Sequence, residues 1–489
     1  MEPLTTQFDP RICERARRAR DPHFDGRFFI GVTSTGIYCR PICPSPSAKR
    51  TNVRYFPTAA AAAEAGFRPC LRCRPETAPG TPAWNGTSAT VSRGLKLIAA
   101  GALDEGNVEQ LAARLGLSAR HLHRLFLQHL GAPPVAVAQT RRLQFAKQLL
   151  DETRLPMAQV ALASGFQSIR RFNHVVRKLY ARTPSELRRL RQSRTASTHG
   201  EYVLRLAYRP PYDWNALLEF LAPRATPGVE EVRDDSYRRS LVFKRQHGKL
   251  EVRALKSGHA LEVRIQFPEP ACLLQIIARV RAMFDLSADP AAIERHLRPD
   301  PLLASGLKRH RGLRVPGAWD GFELAVRAVL GQQITVGAAT TLAGRLVRAH
   351  GEALRLADSG GLTHVFPSPR ALANARLQGL PAARARSLQL LAAAVDAGRL
   401  RFASGVPDKR FFTEFQGIAG IGDWTAQYVA MRAFNEPDAF PAGDLVLLRS
   451  AGRNRPLTKA ALLKRAEGWR PWRAYAAMHL WRAAADRNN

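Results

Sequence analysis

Four of the six cysteines in this chain of 489 residues lie in two short segments, GIYCRPIC (36–43) and FRPCLRC (67–73). The first pair has C-x3-C spacing, and the second has C-x2-C spacing. Two such pairs that meet in a fold supply four thiolates, which is the ligand set of a closed tetrahedral zinc site. In a reducing compartment, paired cysteines are more often metal ligands or redox groups than disulfides. We therefore predict that one Zn²⁺ organises the N-terminal region, with the ligands Cys39, Cys43, Cys70 and Cys73.

The chain carries a strong positive charge. Lys and Arg total 74 against 40 Asp and Glu, which gives a net charge of +34 and a pI near 11.2. A codon preference for arginine explains part of the arginine excess but not the imbalance, so we expect a polyanionic partner. Residues 1–21 lack the apolar core of a signal peptide, and no apolar stretch is long enough to span a bilayer. We expect a cytoplasmic, nucleoid-associated protein with no membrane partner.

Changes in composition divide the chain into four predicted domains. Segments 74–90 and 189–201 are polar or rich in Pro, Gly and Thr and lack periodicity, so they are predicted linkers. A third break is predicted at 286–301. The predicted domains are residues 1–82, 88–192, 201–290 and 291–489, in a multidomain, mainly α fold.

Residues 91–190 are predicted to be helical and contain one pattern twice, at 107–131 and 156–180. Each copy has a short helix, a turn at Gly116 or Gly165, and a basic amphipathic helix. This is typical of a helix-turn-helix, in which the second helix enters the major groove of DNA. The alternative is a helical bundle with no role in DNA binding.

Residues 202–290 are predicted to form an α+β domain. β-rich runs alternate with hairpin turns expected at His247–Gly248 and Ser257–Gly258, and helices are expected at 213–222 and 270–284. Beyond residue 316 the pattern predicts helices to the end of the chain.

Residues 12–82 resemble the N-terminal domain of the bacterial Ada family, and the helical segment that follows resembles the AraC-type domain found next in that family. The resemblance implies that Cys39 is both a zinc ligand and a nucleophile that accepts a methyl group from a methylated DNA phosphate. A thiolate is the form of cysteine that attacks carbon. A structural zinc clip with no transfer chemistry remains the alternative.

The same resemblance implies that Thr35 and Arg68 contact the phosphate, and we expect the arginines of both cysteine segments to grip DNA. One departure is Pro46, where the family carries an arginine, so that contact is lost or passes to Lys49 or Arg50. The Pro-Cys-His-Arg motif of alkylguanine transferases is absent from the sequence, so we predict no repair of O6-alkylguanine.

The segment FQGIAGIGDWTAQYVAMRAF (415–434) predicts a glycine-rich hairpin, with a helix that starts at about Asp423. Such a turn presents main-chain N–H groups to a phosphate. The DNA-contacting glycines are expected to be Gly417, Gly420 and Gly422. About twenty residues later, the segment FPAGDLVLLRS carries a lone acid, Asp444, whose simplest role is to cap the next helix.

Residues 202–481 resemble the AlkA family of helix-hairpin-helix DNA glycosylases. The resemblance implies a β-rich first domain similar to half of a TATA-binding protein, then two helical subdomains, with Asp444 as the catalytic carboxylate. It implies an aromatic pocket for the flipped base, formed by Trp424, Tyr428, Trp481 and Phe220. Such faces attract cationic alkylated bases, although core packing is the alternative for each ring.

Two positions depart from related sequences. Lyases of this superfamily place a lysine where this chain has Trp424, so we expect a monofunctional hydrolase. Gln333 stands where the family has a leucine that fills the gap left by the flipped base. We expect Gln332 and Gln333 to contact DNA, and Gln332, Gln333 or Ile334 to fill the gap.

Together these features predict a regulator that senses methyl phosphotriesters, fused to a glycosylase that excises 3-methyladenine and related purines. Expected partners are alkylated and promoter double-stranded DNA and RNA polymerase, and the expected state is a monomer. One alternative is a transcription activator whose C-terminal half only binds DNA. Another is a glycosylase with an inert, DNA-anchoring zinc domain.

Overall fold

The computed structural model describes residues 9–79, 89–104, 106–190, 200–356, 360–402, 407, 409–452 and 455–488. Residues 80–88 and 191–199, the central parts of the two predicted linkers, lie outside the described residues. The chain divides into two compact units. The first comprises residues 1–210, 255–278 and 286–288, and the second comprises 211–254, 279–285 and 289–489. None of the helices in the described ranges has the length and apolar character needed to cross a bilayer.

The N-terminal part of the first unit is a small sheet with two helices. Its elements are α1 (Pro10–Ala19), β1 (Phe29–Val32), β2 (Ile37–Cys39), β3 (Val53–Phe56), α2 (Ala59–Glu64) and β4 (Arg68–Pro69). The strand order is β3-β1-β2-β4, with β1 antiparallel to β2 and β3, and β2 parallel to β4. Because β2 ends at Cys39 and Cys70 directly follows β4, this pairing brings the two cysteine segments together.

The helical segment contains both predicted helix-turn-helix units. Its elements are α3 (Ala89–Ala99), α4 (Val108–Arg114), α5 (Ala119–Leu130), α6 (Pro134–Glu152), α7 (Met157–Ala163), α8 (Ile169–Tyr180) and α9 (Pro184–Arg189). The pairs α4–α5 and α7–α8 confirm the two units. Gly116 and Gly165 have φ of +72° and +79°, a conformation that glycine adopts without strain. Ser118 and Ser168 cap the second helix of each pair.

Buried ion pairs join the cysteine-bearing sheet to α6 within the first unit. Arg74 Nη2 lies 2.9 Å from Asp151 Oδ2, and Lys147 Nζ lies 2.6 Å from the same oxygen. Lys147 and Asp151 are buried. The hydroxyl of Thr58 donates to the carbonyl of Leu130 over 2.8 Å. The metal-ligand region and the helix-turn-helix region are therefore packed together rather than loosely tethered.

A five-stranded sheet of order β5-β9-β8-β7-β6 confirms the predicted α+β region. Its elements are β5 (Glu201–Ala207), α10 (Trp214–Leu221), β6 (Glu230–Arg233), β7 (Ser236–Phe243), β8 (Gln246–Ala254), β9 (Ala260–Gln266) and α11 (Leu273–Met283). The turn predicted at His247–Gly248 is wrong, since both residues pair with β7. The turn is Lys244–Arg245, with φ of +46° and +65°. The glycine of the turn predicted at Ser257–Gly258 has φ +81°, between β8 and β9.

The rest of the second unit is helical. Its elements are α12 (Pro290–Leu297), α13 (Pro301–Arg309), α14 (Gly321–Leu330), α15 (Val336–His350), α16 (Pro369–Ala373), α17 (Ala382–Asp396), α18 (Lys409–Gln416), α19 (Asp423–Ala433), α20 (Leu445–Ala451), α21 (Lys459–Ala466) and α22 (Arg473–Asn488). Helix α12 lies within the break predicted at 286–301, and α13 begins at its end. Asp289 and Asp300 each cap a helix whose first residue is proline, so the two Asp-Pro pairs are helix starts.

Helix α14 lies at the centre of this helical core, and almost all of its residues are buried. It packs with α17 and α19 around a cluster that includes Leu330, Leu388 and Val429. This core fixes the direction of α19, which carries two of the predicted pocket residues on its partly exposed face.

Candidate active site and metal centre

Asp444 caps α20, as the simplest interpretation of its sequence context predicted. Its Oδ1 accepts the N–H groups of Val446 and Leu447, each over 3.0 Å. The carboxylate has two further contacts that a cap does not need: Trp424 Nε1 donates to Oδ2 over 3.0 Å, and Trp481 Nε1 donates to Oδ1 over 3.1 Å. Four donors therefore hold one carboxylate in place, and Asp444 remains partly exposed.

The four predicted aromatic residues lie around this carboxylate. Trp424 and Tyr428, one turn apart on α19, stack with ring centroids 5.2 Å apart and planes 7° apart. Trp481 on α22 meets Tyr428 at 6.3 Å and 65°, and meets Phe220 on α10 at 6.5 Å and 31°. All four side chains are partly exposed, unlike the fully buried core. The arrangement is an open aromatic cluster with a fixed anion at one side.

A basic group that the sequence analysis missed borders the same cluster. Arg432 is 3% exposed, and its Nη1 donates to the hydroxyl of Tyr428 over 2.7 Å. The guanidinium carbons of Arg224 and Arg432 lie 3.9 and 5.0 Å from the ring centroid of Phe220. Arg432 follows Tyr428 by four residues, and Arg224 follows Phe220 by four. Residues four apart on a helix are neighbours, so this spacing could have revealed both arginines from the sequence.

The turn between α18 and α19 confirms the predicted hairpin. Gly420 has φ +88°, and a Cβ there would lie 2.5 Å from Ser387 Oγ, so only glycine fits without rearrangement. Gly417, Gly420 and Gly422 are all exposed, and Gly422 directly precedes the first residue of α19. The turn therefore offers main-chain N–H groups to solvent at the start of a helix, where an anion binds favourably.

Gln332, Gln333 and Ile334 lie between α14 and α15 and differ in their contacts. The side-chain amide of Gln332 donates to the carbonyl of Gly420 over 2.8 Å and to Thr425 Oγ1 over 3.1 Å. It therefore braces the hairpin. Gln333 is exposed with φ +60°, and Ile334 is 36% exposed.

The four predicted ligand cysteines converge in the first unit, where their sulfur atoms all lie within 4.8 Å of one another. A tetrahedral zinc site with Zn–S bonds of ~2.3 Å has sulfur atoms about 3.8 Å apart, so the set fits this ion. Four thiolates this close together repel one another, so the fully deprotonated set requires a bound cation. Cys39 and Cys43 are partly exposed, whereas Cys70 and Cys73 are buried.

The arginines around these cysteines do not share one role, which corrects the expectation that all of them grip DNA. Arg40 is 7% exposed and paired with Asp25, and it also donates to the carbonyl of Cys73 and the hydroxyl of Thr77. It is a structural residue. Thr35 and Arg68 are exposed. Arg68 pairs with Ile37, two residues before Cys39, and its main-chain N–H donates to the carbonyl of Gly36 over 2.7 Å.

Fold and site together define a helix-hairpin-helix glycosylase architecture preceded by a four-cysteine metal centre and a double helix-turn-helix. Three family models match: the metal binding domain of Ada at residues 12–76, a helix-turn-helix domain at 111–190 and the AlkA N-terminal domain at 203–320. The "Probable bifunctional transcriptional activator/DNA repair enzyme AlkA" of Mycobacterium tuberculosis is 42% identical over 96% of this chain and 95% of its own length. The chain therefore belongs to this family of bifunctional activator and repair proteins.

Two further proteins match one part of the chain each. The "DNA-3-methyladenine glycosylase 2" of Escherichia coli is 34% identical over 56% of this chain and 95% of its own length. The "3-methyladenine dna-glycosylase from Archaeoglobus fulgidus" has a TM-score of 0.50 at 20% identity over 57% of this chain and 98% of its own. At that identity the solved structure supports the fold alone.

Proposed function

We propose that this chain hydrolyses the N-glycosidic bond of alkylated purines such as 3-methyladenine, with Asp444 as the catalytic carboxylate. The observation that carries the proposal is the pair of hydrogen bonds from Trp424 and Trp481 to that carboxylate. They fix the anion beside the aromatic cluster that receives the base. The name and sequence similarity of the E. coli relative support the same activity.

The reaction takes place on a base that has been flipped out of the duplex. A cationic alkylated base stacks against Trp424, Trp481 and Tyr428, an interaction of about 2 kcal/mol when desolvated. As the C1′–N bond breaks, its electron pair leaves with the base and positive charge develops on the sugar. Asp444 stabilises that charge, and a water molecule adds to C1′ and releases one proton to the solvent. Because Trp424 occupies the position of the lyase lysine, no Schiff base forms and the strand stays intact.

The hairpin between α18 and α19 and the turn between α14 and α15 hold the DNA. The N–H groups around Gly417, Gly420 and Gly422 bind a backbone phosphate. Gln333 or Ile334 fills the gap left by the flipped base, since both are exposed, while the side chain of Gln332 is engaged with the hairpin.

We propose a second activity for the metal centre. One Zn²⁺ held by Cys39, Cys43, Cys70 and Cys73 keeps these sulfurs deprotonated at neutral pH. The sulfur of Cys39 attacks the methyl carbon of a methyl phosphotriester, the C–O bond breaks, and the phosphate leaves as a diester anion. The partial exposure of Cys39 and the exposed Thr35 and Arg68 nearby support this assignment.

Methyl transfer turns a thiolate into a neutral thioether and so reduces the negative charge at the protein surface that faces DNA. The helix-turn-helix units then bind promoter DNA more tightly and recruit RNA polymerase. The proposal includes a monomeric protein with the four domains 1–82, 88–192, 201–290 and 291–489.

The test of the glycosylase proposal is base release from methylated duplex DNA. Asp444→Asn should lower release of 3-methyladenine by at least about a hundredfold while DNA binding is retained. Asp423→Asn is the matched control, because Asp423 is an exposed acid at the start of α19 whose partner is Lys459. Equal rates for wild type and Asp444→Asn would overturn the assignment.

A further inference from the structure

Helix α17 joins the two loops that the proposed function assigns to DNA contact, the turn between α14 and α15 and the hairpin between α18 and α19. Arg384 Nη2 donates to the main-chain carbonyl of Gln332 over 2.8 Å. Three residues later on the same helix, the hydroxyl of Ser387 donates to the carbonyl of Ala419 over 2.6 Å. The side-chain amide of Gln332 closes the ring by donating to the carbonyl of Gly420 over 2.8 Å. Three segments that are distant in sequence are therefore fixed to one another.

Gln333 directly follows the anchored residue and has an unusual backbone conformation. Its φ is +60°, a left-handed value that is unfavourable for a side chain such as glutamine and that persists only where the surroundings impose it. Gln332 is anchored on one side of it. On the other side Thr335 caps α15, since its hydroxyl accepts the N–H of Ala338 over 3.2 Å. The strained backbone is therefore held from both sides, as is typical of residues with a function.

We propose that Arg384 is a positioning residue that holds Gln333 in this conformation, and that the Gln333 amide enters the duplex and hydrogen-bonds the base that loses its partner when the damaged base is flipped. This inference rests on the proposed glycosylase activity. It assigns the gap in the duplex to Gln333 rather than to Ile334. It also gives this chain a property that an apolar side chain at the same position lacks, because the protein then recognises the base opposite the damage.

The side chain of Gln333 is suited to this contact. It is exposed, and in the described part of the chain no hydrogen bond engages its amide. An amide offers donors and an acceptor side by side. A thymine left unpaired in the stack has an N3–H donor next to two carbonyl acceptors, and an apolar side chain leaves these groups without partners at a cost in free energy. Glutamine therefore stabilises the flipped state, whereas leucine only fills the space.

Arg384 acts here through a hydrogen bond rather than through its charge. It is partly buried, and among the residues that the structure describes its hydrogen-bond partner is the carbonyl of Gln332 and no carboxylate pairs with it. Arg386, two residues further along α17, is exposed and has no hydrogen bond or ion pair in the same ranges. The two arginines therefore separate the loss of a cation, which is common to both, from the loss of the anchor, which is specific to Arg384.

The experiment measures the affinity of the full chain for two duplexes that contain a tetrahydrofuran abasic analogue, so that no base pair has to be broken. Opposite the analogue, one duplex has thymine and the other has 2,4-difluorotoluene, which has nearly the shape of thymine but almost no capacity for hydrogen bonds. Wild type should bind the thymine duplex about fivefold more tightly, the effect of one or two hydrogen bonds. Gln333→Leu and Arg384→Met should each lower this preference to less than about twofold.

Two control variants, Arg386→Met and Ile334→Ala, should keep the preference for thymine even where they weaken binding to both duplexes, and thermal unfolding checks that every variant is folded. No preference in wild type, a retained preference in Gln333→Leu, or equal preferences in folded Arg384→Met and Arg386→Met would overturn this inference alone. Release of 3-methyladenine from methylated DNA by wild type is measured separately, and its absence would overturn the proposed function.

Discussion

The indole of Trp424 donates a 3.0 Å hydrogen bond to the Oδ2 atom of Asp444, twenty residues further along the chain. This bond joins the helix after the glycine hairpin to the cap of α20. Trp481 makes the matching bond to Oδ1 from α22. The cap role and the proposed catalytic role are therefore compatible, because the cap donors and the two indoles hold the same carboxylate in place.

Trp424→Phe should slow base release. Phenylalanine keeps an aromatic face in the pocket but removes the donor to Asp444, and a hydrogen bond to a charged group is worth about 1.5–3 kcal/mol. We expect release of 3-methyladenine to fall by about 10- to 100-fold with little change in DNA affinity. Trp469→Phe, which removes an indole bonded to Asp300 instead, serves as the control. A full rate in Trp424→Phe would show that the indole does not position the carboxylate.

Metal analysis should find one zinc per chain. Cys43→Ser removes a predicted ligand and should lose the metal, whereas Cys13→Ser should keep it, because Cys13 packs in an apolar cluster with Ala16, Phe28 and Ile30. Strong chelators should lower the thermal stability of the first unit, since four thiolates cannot stay together without a cation. Full metal content in Cys43→Ser would contradict the four-cysteine site.

Arg40 and Arg68 should separate structure from DNA binding. Arg68→Gln should reduce the slope of log affinity against log salt by ~0.9, the contribution of one phosphate contact, with an unchanged melting temperature. Arg40→Gln should instead lower the melting temperature, because it leaves the buried carboxylate of Asp25 without its partner. A lower melting temperature for Arg68→Gln, together with a reduced salt slope and an unchanged melting temperature for Arg40→Gln, would reverse these assignments.

Acid should destabilise the second unit through Glu230. Burial raises the pKa of Glu230, but Arg327 and Arg239 outweigh this effect and lower the pKa to about 2. A lowered folded-state pKa gives stability that is present above the ordinary value of 4.5 and is lost as pH falls from there toward 2. Urea unfolding should show that the free energy of unfolding decreases as pH falls from 4.5 toward 2.

Glu230→Gln tests the same network at neutral pH. It should cost about 3 kcal/mol in the free energy of unfolding, since Arg327 and Arg239 each lose one of two carboxylate partners and keep only Glu323. Glu219→Gln is the control and should cost less than about 1 kcal/mol, because Glu219 is exposed in its pair with Arg482. Equal costs for the two variants would contradict the role assigned to Glu230.

The residues of both sites could be predicted from the sequence, but the hydrogen bonds and ion pairs that support them could not. Cysteine spacing predicted the ligand set, and the hairpin glycines predicted the start of α19 at Asp423. The Lys244–Arg245 turn was missed because neither residue is a usual left-handed residue. The start of α13 was missed because an Asp-Pro pair is typical of both loops and helix starts. The burial of Arg40 depends on Asp25, fifteen residues away, which no local pattern reveals.

One incubation tests the central claim that this chain combines two activities. Wild type, Asp444→Asn and Cys39→Ser are each mixed with duplex DNA that carries 3-methyladenine and methyl phosphotriesters. Free base is then measured by chromatography and methylation of the Cys39 peptide by mass spectrometry. We predict both products for wild type, only the methylated peptide for Asp444→Asn, and only free base for Cys39→Ser. Undiminished base release by Asp444→Asn, or a wild-type protein with no methyl on Cys39, would contradict the account.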